Sequence, residues 1–120
     1  MKIAFFEVQE WEKKYLTEKL SDFKLAFFDE HLEEATVQLA EDFDIISPFT
    51  DSQVTKEIID KLPALKMITT RATGFDNIDI AEAKNHKVIV CNVPIYGENT
   101  VAEHTFGLLL NLSRKIHQSI

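Results

Sequence analysis

Glycine is scarce in this chain of 120 residues: Gly74, Gly97 and Gly107 are the only three. Neither a G-x-G-x-x-G dinucleotide fingerprint nor a G-x-x-x-x-G-K-[ST] phosphate loop can be written with them, so these residues hold no ordinary pyrophosphate cradle. Cysteine is rarer still. Cys91 alone cannot close an internal disulfide, and with four scattered histidines it makes no metal-ligand spacing, so no metal site is expected. Long apolar runs are missing too, and nothing reads as a bilayer span. The opening Met1-Lys2-Ile3-Ala4-Phe5-Phe6-Glu7 meets an acid before a signal-peptide apolar region can develop, which predicts a cytoplasmic protein. Basic residues are in deficit, 13 against 20 acidic, for a net charge of −7. A field of that sign repels phosphate backbones and anionic lipid, so neither nucleic acid nor a membrane is expected as a partner.

What is present describes one folded unit. Hydrophobic residues make up 45% of the chain and charged residues 28%, the balance of a globular domain rather than a disordered segment. Short apolar runs alternate with amphipathic stretches. Strands are predicted over 3–8, 25–28, 45–49, 65–70 and 88–93, and helices over 10–20, 32–40, 55–62, 79–86 and from Thr100 to about Gln118. Pro63 stops the third helix. Two capping boxes, Asp79-x-x-Glu82 and Thr100-x-x-Glu103, open the last two helices. Strands separated by helices without hairpin turns mean parallel pairing, and apolar rather than alternating strands mean that helices cover both faces. A flavodoxin-like α/β sandwich of strand order 2-1-3-4-5 is predicted.

In such a sheet ligands sit beyond the carboxyl ends of the strands, and two of the loops there stand out. After the fourth strand comes Arg71-Ala72-Thr73-Gly74-Phe75-Asp76-Asn77. Gly74 can adopt backbone angles closed to other residues and admits a ligand close to the main chain. The amides of Thr73 and Gly74 would then suit a carboxylate or phosphate. In the plainer reading Gly74 only makes the turn and Asp76 or Asn77 only caps a helix. After the fifth strand comes Asn92-Val93-Pro94-Ile95-Tyr96-Gly97-Glu98-Asn99. Tyr96 either offers its hydroxyl to a ligand or is a buried structural tyrosine. If the two strands are neighbours, a carboxylate on Thr73 and Gly74 also reaches Tyr96.

Other candidates carry less. Glu103 and His104 are adjacent on a helix and point about 100° apart, so His104 reads as a capping or packing residue. Cys91, within an apolar strand, reads as an inert core thiol. In the last helix Val101, Phe106, Leu108, Leu109, Leu110, Leu112 and Ile116 spread far beyond the roughly 100° stripe that covers one sheet face. That spread predicts a second buried contact outside the five-stranded unit.

Leu62-Pro63-Ala64-Leu65-Lys66-Met67-Ile68, Thr73-Gly74-Phe75-Asp76-Asn77-Ile78-Asp79, Val88 to Pro94 and Asn99-Thr100-Val101-Ala102-Glu103-His104 together resemble the D-isomer-specific 2-hydroxyacid dehydrogenases. Thr70-Arg71 before the glycine loop and Tyr96 before Asn99 look most like the D-lactate dehydrogenase branch. The resemblance implies that residues 1–99 form a flavodoxin-like substrate-binding domain. It implies that 100–120 form a crossover helix toward a Rossmann domain absent from this chain, which would bind NAD and supply catalytic Arg, Glu and His. By position, the Thr73 and Gly74 amides would hold the carboxylate of a 2-oxo acid, Tyr96 would line the same pocket, and Thr100 would sit near the nicotinamide. Asn77 and Asp79 look structural. Leu108, Leu109, Leu112 and Ile116 would meet the partner domain or a second subunit of a homodimer. These residues alone would then be inactive. A stand-alone small-acid-binding module, or a phospho-acceptor receiver of the same fold, is the other reading. A receiver needs an acidic pair, a further Asp and a Lys at the strand ends, and only Asp51 suits.

Overall fold

A computed structural model describes residues 1–118. Five strands, β1 (Lys2–Phe5), β2 (Lys24–Phe27), β3 (Ile45–Ser47), β4 (Met67–Thr69) and β5 (Ile89–Cys91), form one sheet in the order β2-β1-β3-β4-β5. All four pairings are parallel, as the helical connections require. The helices are α1 (Glu10–Lys19), α2 (Lys56–Asp60), α3 (Ile80–Asn85) and α4 (Thr100–Arg114).

Strand alternation divides the sheet into two faces. The register aligns Ala26, Ala4, Ile46, Ile68 and Val90 on one of them. Ala4, Ile46 and Ile68 are wholly buried there, together with Ile58 and Ile59 of α2 and Ala83 of α3. Each large aliphatic side chain buried in this way stabilises the fold by about 1.5–3 kcal/mol. The opposite row runs Leu25, Ile3, Ile45, Met67 and Ile89. Leu16 and Leu20 at and beyond the end of α1 pack on its β1–β3 part. Cover thins toward the edge: Ile89 on β5 is 62% exposed.

Three local expectations fail, each for a local reason. The segment 32–40 is helical only as a 3₁₀ turn, Val37–Ala40. The Thr36 hydroxyl donates to the His31 carbonyl (2.8 Å) and accepts from the Glu33 N–H (3.0 Å), the kind of local bond that competes with a helix. The Thr100 capping box does not form. The Thr100 N–H donates to the Gly97 carbonyl (3.1 Å) and the Glu103 N–H to the Asn99 carbonyl (2.8 Å), so Thr100 is already the first helical residue. The Asp79 box is half formed. Asp79 Oδ1 accepts the Glu82 N–H (2.9 Å), but the Asp79 N–H is taken by the Val54 carbonyl (2.9 Å). Glu82 turns instead to Lys56 (3.0 Å), beside Asp60 and His86, in a charge cluster that ties α2 to α3. Those carboxylate and imidazole atoms stand close enough to hold a metal ion, but the Lys56 ammonium already bridges both carboxylates at 3.0 Å.

The last helix differs most. α4 stops at Arg114, Lys115 turns left-handed (φ 52°), and Ile116–Gln118 continue as a 3₁₀ turn. The end of the predicted 100–120 helix, residues 119 and 120, lies outside the described residues. α4 covers neither sheet face. Phe106, Leu108, Leu109, Leu110 and Leu112 are all more than half exposed, and among the described elements the helix packs closely on the 3₁₀ turn that follows it alone. The described chain accordingly measures 58 × 33 × 26 Å with a radius of gyration of 18.1 Å, against about 14 Å for a compact chain of this length. No described helix is long and apolar enough to cross a membrane.

Candidate functional site

β4 and β5 are neighbours, and their following loops are laced together. The Thr70 N–H donates to the Cys91 carbonyl (3.0 Å) and the Val93 N–H to the Ala72 carbonyl (3.1 Å). Asn92 Nδ2 donates to the Thr73 carbonyl (2.8 Å). These bonds leave the N–H groups of Thr73 and Gly74 with no acceptor among the described residues.

A cavity of about 400 Å³ lies beside the laced loops, with Thr73, Tyr96, Glu98 and Thr100 as its polar side chains and Pro94, Ile95 and Val101 as its apolar wall. Tyr96 is 80% exposed and is no buried structural tyrosine. Gly74 opens on the other side, into a depression of about 210 Å³ shared with Thr50, Ala72, Asp76 and Asn77. Thr73 and Gly74 thus form a ridge between two cavities, and Tyr96 belongs to one of them. Thr100 joins that cavity from the first turn of α4. Leu108, Leu109, Leu112 and Ile116 lie farther along the same exposed stretch and line neither cavity.

Gly74 is not glycine for the reason its type suggests. Its φ is not positive, and a Cβ built on it meets nothing within 4 Å. The fold itself would accept a side chain there. Gly97 is the constrained one, because an added Cβ would stand 3.1 Å from the Thr100 hydroxyl.

His104 neither caps nor packs: it is exposed on α4, and Glu103 beside it is exposed too. Cys91 is half-buried rather than core, because it lies on the edge strand and lines an open groove with Phe75 and Ile80. Asn77 does shape the loop. Its Nδ2 donates to the Phe49 (2.9 Å) and Ser52 (2.8 Å) carbonyls.

Two supports of the site escaped sequence reasoning. Arg71 reaches under the loops: Nη1 donates to the Ser47 carbonyl (2.8 Å), and Nη2 donates to the Phe6 (2.8 Å) and Glu7 (3.0 Å) carbonyls. Its Nε lies 3.3 Å from Glu12 at an angle that makes a charge contact but no hydrogen bond. Burial pulls the Arg71 pKa below its ordinary value, opposed by the charges of Glu12 and Glu7. Glu7 holds the loop after β3. Its carboxylate accepts the N–H groups of Phe49 (2.9 Å), Asp51 (2.8 Å) and Ser52 (3.1 Å), and the Ser52 hydroxyl. A loop that could have bound an external anion is thereby filled from within.

The fold is thus a doubly wound parallel sheet that carries two unspent loop amides beyond its carboxyl edge, where ligands sit in sheets of this kind. Residues 3–115 match the family model of the D-isomer specific 2-hydroxyacid dehydrogenase catalytic domain, and the chain belongs to that family. It is 37% identical to a 2-hydroxyacid dehydrogenase homolog of Haemophilus influenzae over 99% of this chain and 37% of that protein. It is 32% identical to the D-lactate dehydrogenase of Escherichia coli over the same shares. Among solved structures, the D-lactate dehydrogenase of Aquifex aeolicus complexed with NAD and lactic acid superposes with a TM-score of 0.85 at 32% identity, covering 92% of this chain and 33% of that one. The chain therefore spans little more than a third of the length of the relatives it matches.

Proposed function

We propose that this chain is the substrate-binding part of an NAD-dependent D-2-hydroxyacid dehydrogenase, of the D-lactate type, that interconverts a small 2-oxo acid and its D-2-hydroxy acid. The observation that carries the reading is the pair of unspent amides at Thr73 and Gly74, on a ridge beside the Tyr96 cavity. An amide that donates to a carboxylate makes a charge-assisted hydrogen bond, the strong kind. Tyr96 adds a hydroxyl from the facing loop, and the apolar wall of Pro94, Ile95 and Val101 suits a short side chain. Residues 1–99 are the substrate-binding domain, and 100–120 lead out of it.

NAD, when bound, supplies the hydride. Of the residues present, Thr100 would stand toward its nicotinamide end, while three glycines provide no pyrophosphate cradle, so another part of the protein would hold most of the dinucleotide. No Lys, Arg or His side chain lines either cavity among the described residues. This chain therefore orients the substrate, and the carbonyl-polarising cation and the proton donor come from elsewhere. Leu108, Leu109, Leu112 and Ile116 supply apolar surface for a partner domain or the second subunit of a homodimer. The working compartment is the cytoplasm.

Pyruvate titrated into ¹⁵N-labelled protein should shift the Thr73 and Gly74 amide resonances first. Tyr96→Phe should weaken that binding by about 1.5–3 kcal/mol, the worth of one hydrogen bond to a charged group. Saturation without movement of those two resonances would place the site elsewhere. Gly74→Ala separates ligand from fold. Unfolding should be unchanged or harder by about 0.4–1 kcal/mol, since the backbone angle and the space both accept alanine. Pyruvate affinity should fall about tenfold, because the methyl group holds the carboxylate off the amides. Full affinity in the alanine variant would refute a carboxylate seated there.

A further inference from the structure

The charges around the proposed carboxylate seat are one-sided. The cavity on the Tyr96 side contains Glu98, and the depression on the Gly74 side contains Asp76. Each is the single charged side chain lining its cavity among the described residues. Both acids are exposed, and no basic side chain shares either cavity with them among the described residues. Whichever side of the Thr73–Gly74 ridge receives the substituent on C2 of the acid, the lining of that cavity carries one carboxylate.

We infer that Glu98 and Asp76 are specificity residues, which select 2-oxo acids with uncharged side chains and reject dicarboxylic ones electrostatically. The inference rests on the Thr73–Gly74 seat proposed above and says which acids it admits. Like charges several ångströms apart in an open, partly solvated cavity repel modestly, and salt screens the repulsion. A rejection of about tenfold at low salt is the scale expected. A steric wall would give a rejection indifferent to salt.

The probes are oxaloacetate and 2-oxosuccinamate, which differ only in whether the far group is a carboxylate or an uncharged amide. Titration calorimetry on the complete protein should find the amide bound about tenfold more tightly at low ionic strength, narrowing to about threefold in 0.5 M salt. The double variant Glu98→Gln, Asp76→Asn should tighten both ligands, oxaloacetate more, and bring the ratio close to one. Equal binding of the two acids to the unaltered protein would overturn the inference while leaving the seat intact. So would a tenfold ratio that persists in high salt or in the double variant, since shape would then be the selector. If neither acid disturbs the Thr73 and Gly74 amides, the seat itself is refuted and the selectivity falls with it.

Discussion

Replacing Arg71 with Met should destabilise the domain by about 3 kcal/mol, a drop of about 10–15 °C in melting temperature for a chain of this size. The Phe6 and Glu7 carbonyls accept from Nη2 and have no other donor in the described structure, and the Ser47 carbonyl loses the stronger of its two donors. The Met variant strands these groups at the ends of β1 and β3 and leaves Glu12 without its counter-charge. Part of the loss is recovered, because burial disfavours the guanidinium, as its lowered pKa indicates. Arg71→Lys should fall between, at about 1–2 kcal/mol: one ammonium cannot span carbonyls on two strands as the planar fork does. Urea unfolding measures both variants. A midpoint unmoved by Arg71→Met would mean that these short contacts add nothing, and that the glycine loop stays in place by its lacing to β5 alone.

The same residue shows what a linear reading can and cannot recover. Strand positions were legible as short apolar runs such as Ile45-Ile46 and Val88-Ile89-Val90, and parallel pairing followed from the helices between them, which makes 2-1-3-4-5 the usual order for five strands. The two loops were legible because the topology assigns ligands to one edge, and unusual residues cluster on that edge after β4 and β5. Arg71 and Glu7 were not. Arg71 meets Phe6 across 65 positions and Glu7 meets Ser52 across 45, and no local pattern records a partner so distant. The available clue was chemical: a lone charge placed just where an apolar strand ends needs an acceptor or donor beneath the loops. α4 misled in the other direction. Its periodicity correctly signalled apolar surface on several sides, but not that the domain leaves all of it uncovered. His104 followed the same error, since a helix assumed to pack supplies neighbours that this one lacks. Cys91 was misjudged because an apolar run does not say whether its strand is central or at the edge.

Glu7→Ala should cost about 2–3 kcal/mol, and Glu7→Gly about 1 kcal/mol less than that, an order opposite to the usual one for these residues. Glu7 sits at φ 56°, a left-handed angle that is strained for any residue with a Cβ. Alanine keeps the strain and loses the carboxylate that gathers the Phe49, Asp51 and Ser52 amides, whereas glycine loses the carboxylate but relaxes the backbone. The native residue tolerates its angle because three N–H groups and a hydroxyl converge on its side chain. Hydrogen exchange locates the effect: the amides of Phe49, Asp51 and Ser52 should exchange faster in both variants, beyond the change in global stability read from Ile3 and Ala4 in β1. The consequence reaches the site, because Asn77 holds the same loop by the Phe49 and Ser52 carbonyls, and Thr50 and Asn77 wall the depression next to Gly74. A looser loop should therefore weaken 2-oxo acid binding in both variants. Glu7→Ala proving the more stable of the two would show that the left-handed angle is not strained, and unchanged exchange at the three amides would show that the carboxylate does not hold the loop.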